Sequence, residues 1–221
     1  MITNFSASYA GHVVDDGIGF SGIPANDRRY SNEVLAGTLD WALDFAQHME
    51  KLRFDEFWIA EHHFQPEGYE GIPNLLMLQV HLANLTKNLK FGAGFNIVPM
   101  WHPLRLAEDF AMADILSKGR IIFGVGRGYH TREVETFGAP MIDGDANREL
   151  FEEQVEVILK AFREESFSHE GKNYKIPATV PYRGYTLEKL SLVPRPLNQP
   201  VEVWQPLVSG NPRGIDFMAK M

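Results

Sequence analysis

The run Ile121-Ile122-Phe123-Gly124-Val125 is apolar at consecutive positions, not at alternate ones. A strand with one wet face alternates apolar and polar residues, so an unbroken short run fits a strand buried on both faces. Such strands belong to parallel sheets covered by helices. Three more segments read as strands: Phe57-Trp58-Ile59-Ala60, Leu89 to Val98 ending at Pro99, and Val201 to Trp204. Amphipathic helices fall between them. Glu33 to Leu52 places Val34, Leu35, Leu39, Leu43, Ala46 and Met49 at helical spacing. Asn74 can cap a helix to about Leu85. Pro103 suits a helix start running to Leu116, which Lys118-Gly119 stops. Ala146 to Arg163 carries Phe151, Val155, Ile158 and Leu159 on one face, and a last helix begins near Pro212. This alternation predicts βαβ units.

The rhythm breaks twice. Residues 1–30 show no clear periodicity, and Ile2 to Ser8 is the sole candidate there for a first strand. Phe167 to Pro200 holds Pro177, Pro181, Pro194, Pro196 and Pro200 among Ser, Gly, Asn and Tyr. It reads as an excursion with a small hairpin before the fifth expected strand. The chain has 221 residues, short of the roughly 250 of a (β/α)8 barrel. About five of eight strands are accounted for, so the expectation is one barrel domain over 1–221 lacking its C-terminal part.

Composition narrows the function classes. Lys plus Arg is 21 and Asp plus Glu 29, giving 21 − 29 = −8, against a general nucleic-acid binder. There is no cysteine, which removes disulfides, Cys-ligated metals and thiol nucleophiles. With no GxSxG either, a nucleophilic triad has no support. Met1 to Val14 lacks the basic and apolar parts of a signal peptide, and no run approaches ~18 apolar residues. A cytoplasmic protein without membrane contact is expected.

In parallel α/β folds the chemistry sits where strands end at their C-termini. Glu61-His62-His63-Phe64 follows one strand. Side chains alternate along a strand, so one of His62 and His63 faces inward and the other packs outward. The inward one is a candidate acid or base, balanced by the reading of a satisfied strand-end histidine. Adjacent histidines chelate poorly and HExxH spacing is absent, so metal binding through Glu61, one of His62 and His63, and His102 is the weaker alternative. Gly92, Gly94 and Asn96 suggest a bulge or a ligand lying flat on the backbone, or else close packing. Phe123 to Gly128 is GxGxG, not a dinucleotide fingerprint. Arg127 there can pair with a phosphate bidentately, and Arg148 is a second candidate or a solvated helix residue. Val208-Ser209-Gly210-Asn211 leads into a helix as an anion site or an ordinary N-cap. Glu149, Glu152, Glu153 and Glu156 read as a solvated helix face.

Three segments carry a resemblance: FWIAEHHF, the stretch LKFGAGFNIVPMWHPLRLAEDFAMADILSKGRIIFGVGRGYHTREVETFG, and ANRELFEEQ. From about Asp40 to Met221 the chain resembles the bacterial-luciferase-like flavin monooxygenases. The resemblance implies an α/β (β/α)8 barrel with insertions. It also implies reduced FMN from a separate flavin reductase, which activates O2 through a flavin C4a-(hydro)peroxide to oxygenate a small organic substrate. F420 is the less favoured cofactor. His62 matches the family's catalytic histidine. Gly94-Phe95 matches a non-proline cis peptide under the flavin ring. Gly126 and Arg127 match a loop near ring and phosphate, Arg148 a phosphate contact, and Val208, Ser209 and Gly210 the segment that holds the phosphate. Luciferase-type members carry a Cys where Gly126 stands, which argues against aldehyde luminescence. Tyr174, Tyr182 and Tyr185 are candidates to cover the barrel mouth. A homodimer is expected. The other readings are a non-catalytic flavin-binding protein and a metal-dependent barrel hydrolase using His62 and His102.

Overall fold

The computed structural model describes residues 4–14, 28–207 and 210–221. They form two compact units: residues 1–96 with 120–124, and residues 97–119 with 125–221.

The first unit is a parallel sheet with helices. Its elements are β1 (Ser6–Tyr9), α1 (Asn32–Leu52), β2 (Glu56–Ile59), α2 (Leu75–Leu85) and β3 (Lys90–Ala93). β1 pairs with β2 from Ser6↔Glu56 to Tyr9↔Ile59, and β2 with β3 from Glu56↔Lys90 to Ile59↔Ala93, both parallel. The next neighbour is β5 (Ile121–Gly126), in register at Phe91↔Ile121 and Gly92↔Ile122. Ser31 accepts from Val34 N and caps α1, and Asn74 accepts from Met77 N and caps α2. Arg53 closes α1 in the left-handed conformation. Phe57, Ile59 and Phe91 on the sheet pack with Ala42, Ala46, Met49, Leu75, Leu82 and Leu89 into one core. The small alanines let α1 lie close to the sheet.

Leu89 to Val98 is not one strand. It divides at Gly94-Phe95, a cis peptide, into β3 and the two-residue β4 (Asn96–Ile97), and a 3-10 turn over Val98–Met100 follows. The expected first strand begins later than Ile2: β1 runs from Ser6, and Ile2 and Thr3 lie outside the described residues.

The second unit holds α3 (Pro103–Leu116), the end of β5, α4 (Thr131–Val134) and α5 (Gly144–Arg163). Two hairpins follow: β6 (His169–Glu170) with β7 (Lys175–Ile176), and β8 (Pro181–Tyr182) with β9 (Tyr185–Thr186). β10 (Val203–Trp204) neighbours β5, and α6 (Pro212–Met218) comes last. α3 packs on α5 with the Phe110 and Phe162 rings 5.3 Å apart. Residues 167–200 thus hold two hairpins where one was expected. Among the described residues no helix is long and apolar enough to cross a membrane.

Candidate active site

In the first unit the chemistry-bearing side chains follow β2. Glu61, His62 and His63 are all buried. Glu61 and His63, two apart, turn to the same side and pair, with His63 Nε2 3.1 Å from Glu61 Oε1. His62 turns elsewhere, its Nε2 3.2 Å from Glu70 Oε2. The alternation expected from an extended chain therefore holds, and each imidazole has a carboxylate partner. The main chain holds this loop too. His62 N donates to Ile72 O, Gly71 N to Ala10 O, and Val13 N to Gly68 O. Glu70 carries no sequence signal, because it reaches His62 only through that loop path.

The glycines around β3 divide by cause. A Cβ at Gly92 would lie 2.3 Å from Trp58 Cδ2, so the group lying on that backbone is the chain's own indole. Trp58 Nε1 donates to Glu56 Oε2 at 3.0 Å. At Gly124 a Cβ would come within 1.7 Å of the Ala93 carbonyl oxygen and 2.8 Å of the Phe95 ring. Only glycine permits that approach. Asn96, fully buried, donates Nδ2 to Gly124 O at 2.9 Å, bridging the place where β3 leaves β5. Its Oδ1 is buried without a hydrogen-bond partner. A bare acceptor in the interior costs free energy unless a donor arrives. Gly94-Phe95 thus stands beside an unmatched acceptor.

In the second unit β5 ends at Gly126, and Arg127 follows. Its NH1 donates to Asn147 Oδ1 at 3.1 Å and to Gly144 O at 3.4 Å. Asn147, fully buried on α5, returns Nδ2 to Pro140 O at 2.8 Å and Arg127 O at 3.3 Å. Burial lowers the Arg127 pKa, and the positive charges of Arg148 and Arg213 lower it further, against Glu152. Arg148 is 14% exposed, its NH1 3.9 Å from Glu152 Oε1. It is not the solvated helix residue its neighbours suggested. Gly128 is a turn residue, at φ +80 and packed against Val134 and Ile97. Gly210 is exposed with nothing within 4 Å of a Cβ, while Val208 and Ser209 lie outside the described residues. Asn211 caps α6 by accepting from Arg213 N.

Two expectations are corrected in this unit. His102 Nδ1 accepts from Leu104 N, so this histidine serves as the N-cap of α3, and its ring stands edge-on to Tyr174. Of the α5 glutamates, Glu149 and Glu156 are exposed as expected, but Glu152 and Glu153 are not. Glu152 takes Arg213, and Glu153 accepts from His169, from the Asn173 side chain and main chain, and from Tyr174 N. Asn147, Glu152 and Arg213 were missed, because an i,i+4 or i,i+5 spacing on a charged helix looks the same whether its partners are water or guanidinium.

The family description "Luciferase-like monooxygenase" matches residues 21–220, and the chain belongs to that family. An alkanal monooxygenase alpha chain of Photobacterium phosphoreum is 36% identical over 141 residues, 64% of this chain and 38% of that protein. The oxygenase component of a flavin-dependent trigonelline monooxygenase of Acinetobacter baylyi is 29% identical over 161 residues, 73% of this chain and 41% of that protein. The chain thus spans about two-fifths of the length of these relatives. Among solved structures, a monooxygenase of Streptomyces bottropensis superposes with a TM-score of 0.70 at 23% identity, over 92% of this chain and 53% of that one. The oxygenating constituent of 3,6-diketocamphane monooxygenase from Pseudomonas putida, in complex with FMN, gives 0.64 at 24% identity, over 85% and 47%. An F420-dependent secondary alcohol dehydrogenase gives 0.59 at 20% identity, over 76% and 48%. These likenesses show the fold, the parallel α/β class of (β/α)8 barrels.

Proposed function

We propose that this chain is the flavin-binding part of an oxygenase that uses reduced FMN and O2 on a small organic substrate. The observation that carries the reading is the arginine cluster of the second unit. Arg127, held by buried Asn147, feels the positive charge of Arg148 on α5, which is 14% exposed, and two such cations suit a phosphate. The first unit, taken by itself, offers a polar match for a flavin ring. Gly94 and Phe95 adjoin Asn96, whose buried Oδ1 awaits an N–H donor, and a flavin ring carries one.

Bound reduced flavin would supply the electrons that activate O2. The chain's own residues orient and protect. His62, buried and paired with Glu70, is assigned to hold or move a proton at Nε2. Gly126, Val208, Ser209 and Gly210 are assigned to the cofactor by the family resemblance. A separate flavin reductase, a cytoplasmic setting and a homodimer belong to the same reading.

Titration of the protein with oxidised FMN, followed by quenching of flavin fluorescence, tests it. Saturable one-site binding is expected, followed by substrate-dependent oxygen uptake once a flavin reductase and reduced nicotinamide are added. No FMN binding overturns the reading. Binding without oxygen uptake on any substrate leaves the flavin-binding protein instead, and preference for F420 replaces the cofactor.

A further inference from the structure

Helix α1 carries two apolar stripes, and the first unit buries one of them. Thr38, Ala42, Ala46 and Met49 are buried. Val34, Trp41, Phe45 and Leu52 stand 44%, 50%, 44% and 70% exposed. At about 100° per residue these four fall within roughly 20° of one line along the helix, about 75° around from the buried stripe. A helix on the outside of a soluble protein ordinarily turns polar residues to water, so a second apolar stripe marks a contact surface. Its centre is already in place. The Trp41 and Phe45 rings lie 6.3 Å apart, and Phe45 leans on Tyr9 of β1 at 5.3 Å.

The stripe reads alike from both ends. About a point at Leu43, Trp41 mirrors Phe45 and Val34 mirrors Leu52. A two-fold axis at that point lays α1 antiparallel on the α1 of a second copy, aromatic on aromatic at the centre and aliphatic on aliphatic at the ends. We propose that α1 is the face through which two copies of this chain pair. Trp41 then packs on the partner's Phe45, and Val34 on the partner's Leu52. One flank of the stripe holds Glu33, Asp40, Asp44, His48 and Lys51, all exposed, with His48 Nδ1 bonded to Asp44 O of its own helix. An antiparallel pair sets this flank against itself. Glu33 meets the partner's Lys51 at each end, which attracts, and Asp40 meets the partner's Asp44 in the middle, which repels. These contacts sit at a wet rim where charge counts for little, so the aromatic centre carries the association. A helix of 21 residues is about 31 Å long, and a strip of that length about 10 Å wide falls short of the ~800 Å² that each partner gives a standard interface, so the dimer is a weak one. The inference stands apart from the flavin assignment and gives the homodimer named with it an interface.

Sedimentation equilibrium of the full chain without flavin tests it, with far-UV circular dichroism to check that each variant folds. A monomer–dimer equilibrium half-associated at roughly tens of micromolar is expected, about what a small interface sustains. W41K should weaken it by about tenfold or more. E33K and K51E should each weaken it by about two- to threefold, and E33K/K51E together, which restores opposite charges across the axis, should recover it. Glu33 and Lys51 are about 27 Å apart along one helix, so that recovery can arise only between copies. D44N, which relieves the like charges at the middle, should tighten the dimer by about twofold. A chain that stays monomeric up to about 500 µM overturns the proposal and leaves the stripe to a different polypeptide. Association that W41K leaves unchanged also overturns it, by placing the contact elsewhere. A double swap weaker than both single swaps overturns the two-fold register. Because flavin takes no part in these measurements, the failure of the flavin reading would leave them as they stand.

Discussion

His62 Nε2 and Glu70 Oε2 lie 3.2 Å apart, on a loop that three main-chain hydrogen bonds tie to Ile72, Ala10 and Val13. A carboxylate this close fixes the tilt of the imidazole and favours a proton on Nε2. Glu70 is thus a positioning residue for His62. Glu70→Leu is expected to lower the oxygenation rate about tenfold, roughly the 1.5 kcal/mol of one charge-assisted hydrogen bond. FMN affinity should stay within twofold. Glu70→Gln, which can still accept through its amide oxygen, should recover much of the loss. Steady-state oxygen uptake and flavin titration separate the two. A matched fall in FMN affinity would mean that Glu70 shapes the loop and not the imidazole.

Glu153 ties β6 and β7 to α5. Burial pushes its pKa up, but the Asn173 side chain and main chain, His169 and Tyr174 N outweigh that and hold it below the usual 4.5. A carboxyl depressed on folding contributes stability above its unfolded pKa and loses it as pH falls through the folded value. Thermal melts of wild type and Glu153→Gln should therefore differ most above about pH 4.5 and converge as the pH falls below it. A gap that stays constant down to pH 3 would show that the charge is not what the bonds stabilise.

Much of this fold could be read from residues whose effect is local. The caps Asn74 and Asn211 and the Pro103 start act within one turn of chain, and their helices fall where the sequence puts them. The all-apolar β5 announces a strand buried on both faces, and every one of its residues is buried. What was hidden depends on partners distant in sequence. Gly92 looks like room for a ligand until Trp58 from the neighbouring strand fills it. Leu89 to Val98 looks continuous because its composition is strand-like, but Asn96 hands its amide to Gly124 and redirects the chain. Arg127 stood out as a candidate anion ligand from its place after a strand. Asn147, which holds it, was not, because a buried asparagine and a solvated one are the same letter.

The corner between β3 and β5 should tolerate no side chain at Gly124. A Cβ there meets main-chain oxygen at Ala93, an atom that cannot rotate away. Gly124→Ala is expected to destabilise the protein by at least 1–3 kcal/mol, about the range for overpacking a rigid core. Gly94→Ala makes a useful contrast, since its nearest contact would be 3.5 Å, to Trp58. Urea unfolding of both variants checks this. A Gly124→Ala protein as stable as wild type would mean that β3 and β5 can separate at that point.

Asn147 should matter to binding and to stability through different bonds. Its Nδ2 satisfies the Pro140 and Arg127 carbonyls, and its Oδ1 receives the Arg127 guanidinium. Because the residue is fully buried, water cannot replace any of these. Asn147→Ala is expected to cost about 1–3 kcal/mol of folding stability, the penalty for stranded buried polar groups. It also frees Arg127 to adopt other rotamers, so that some of the binding free energy goes into ordering it again. FMN affinity should then fall by roughly three- to tenfold, while riboflavin, which has no phosphate for Arg127 to meet, loses little. Asn147→Asp separates the two effects. It keeps an acceptor for the Arg127 guanidinium but turns a carboxylate toward two carbonyl oxygens, so stability should fall further than in the alanine variant while Arg127 stays held. If Asn147→Asp weakens FMN binding less than Asn147→Ala despite being the less stable protein, the contribution of Asn147 is to hold Arg127. If affinity follows stability across the pair, Asn147 is only part of the core.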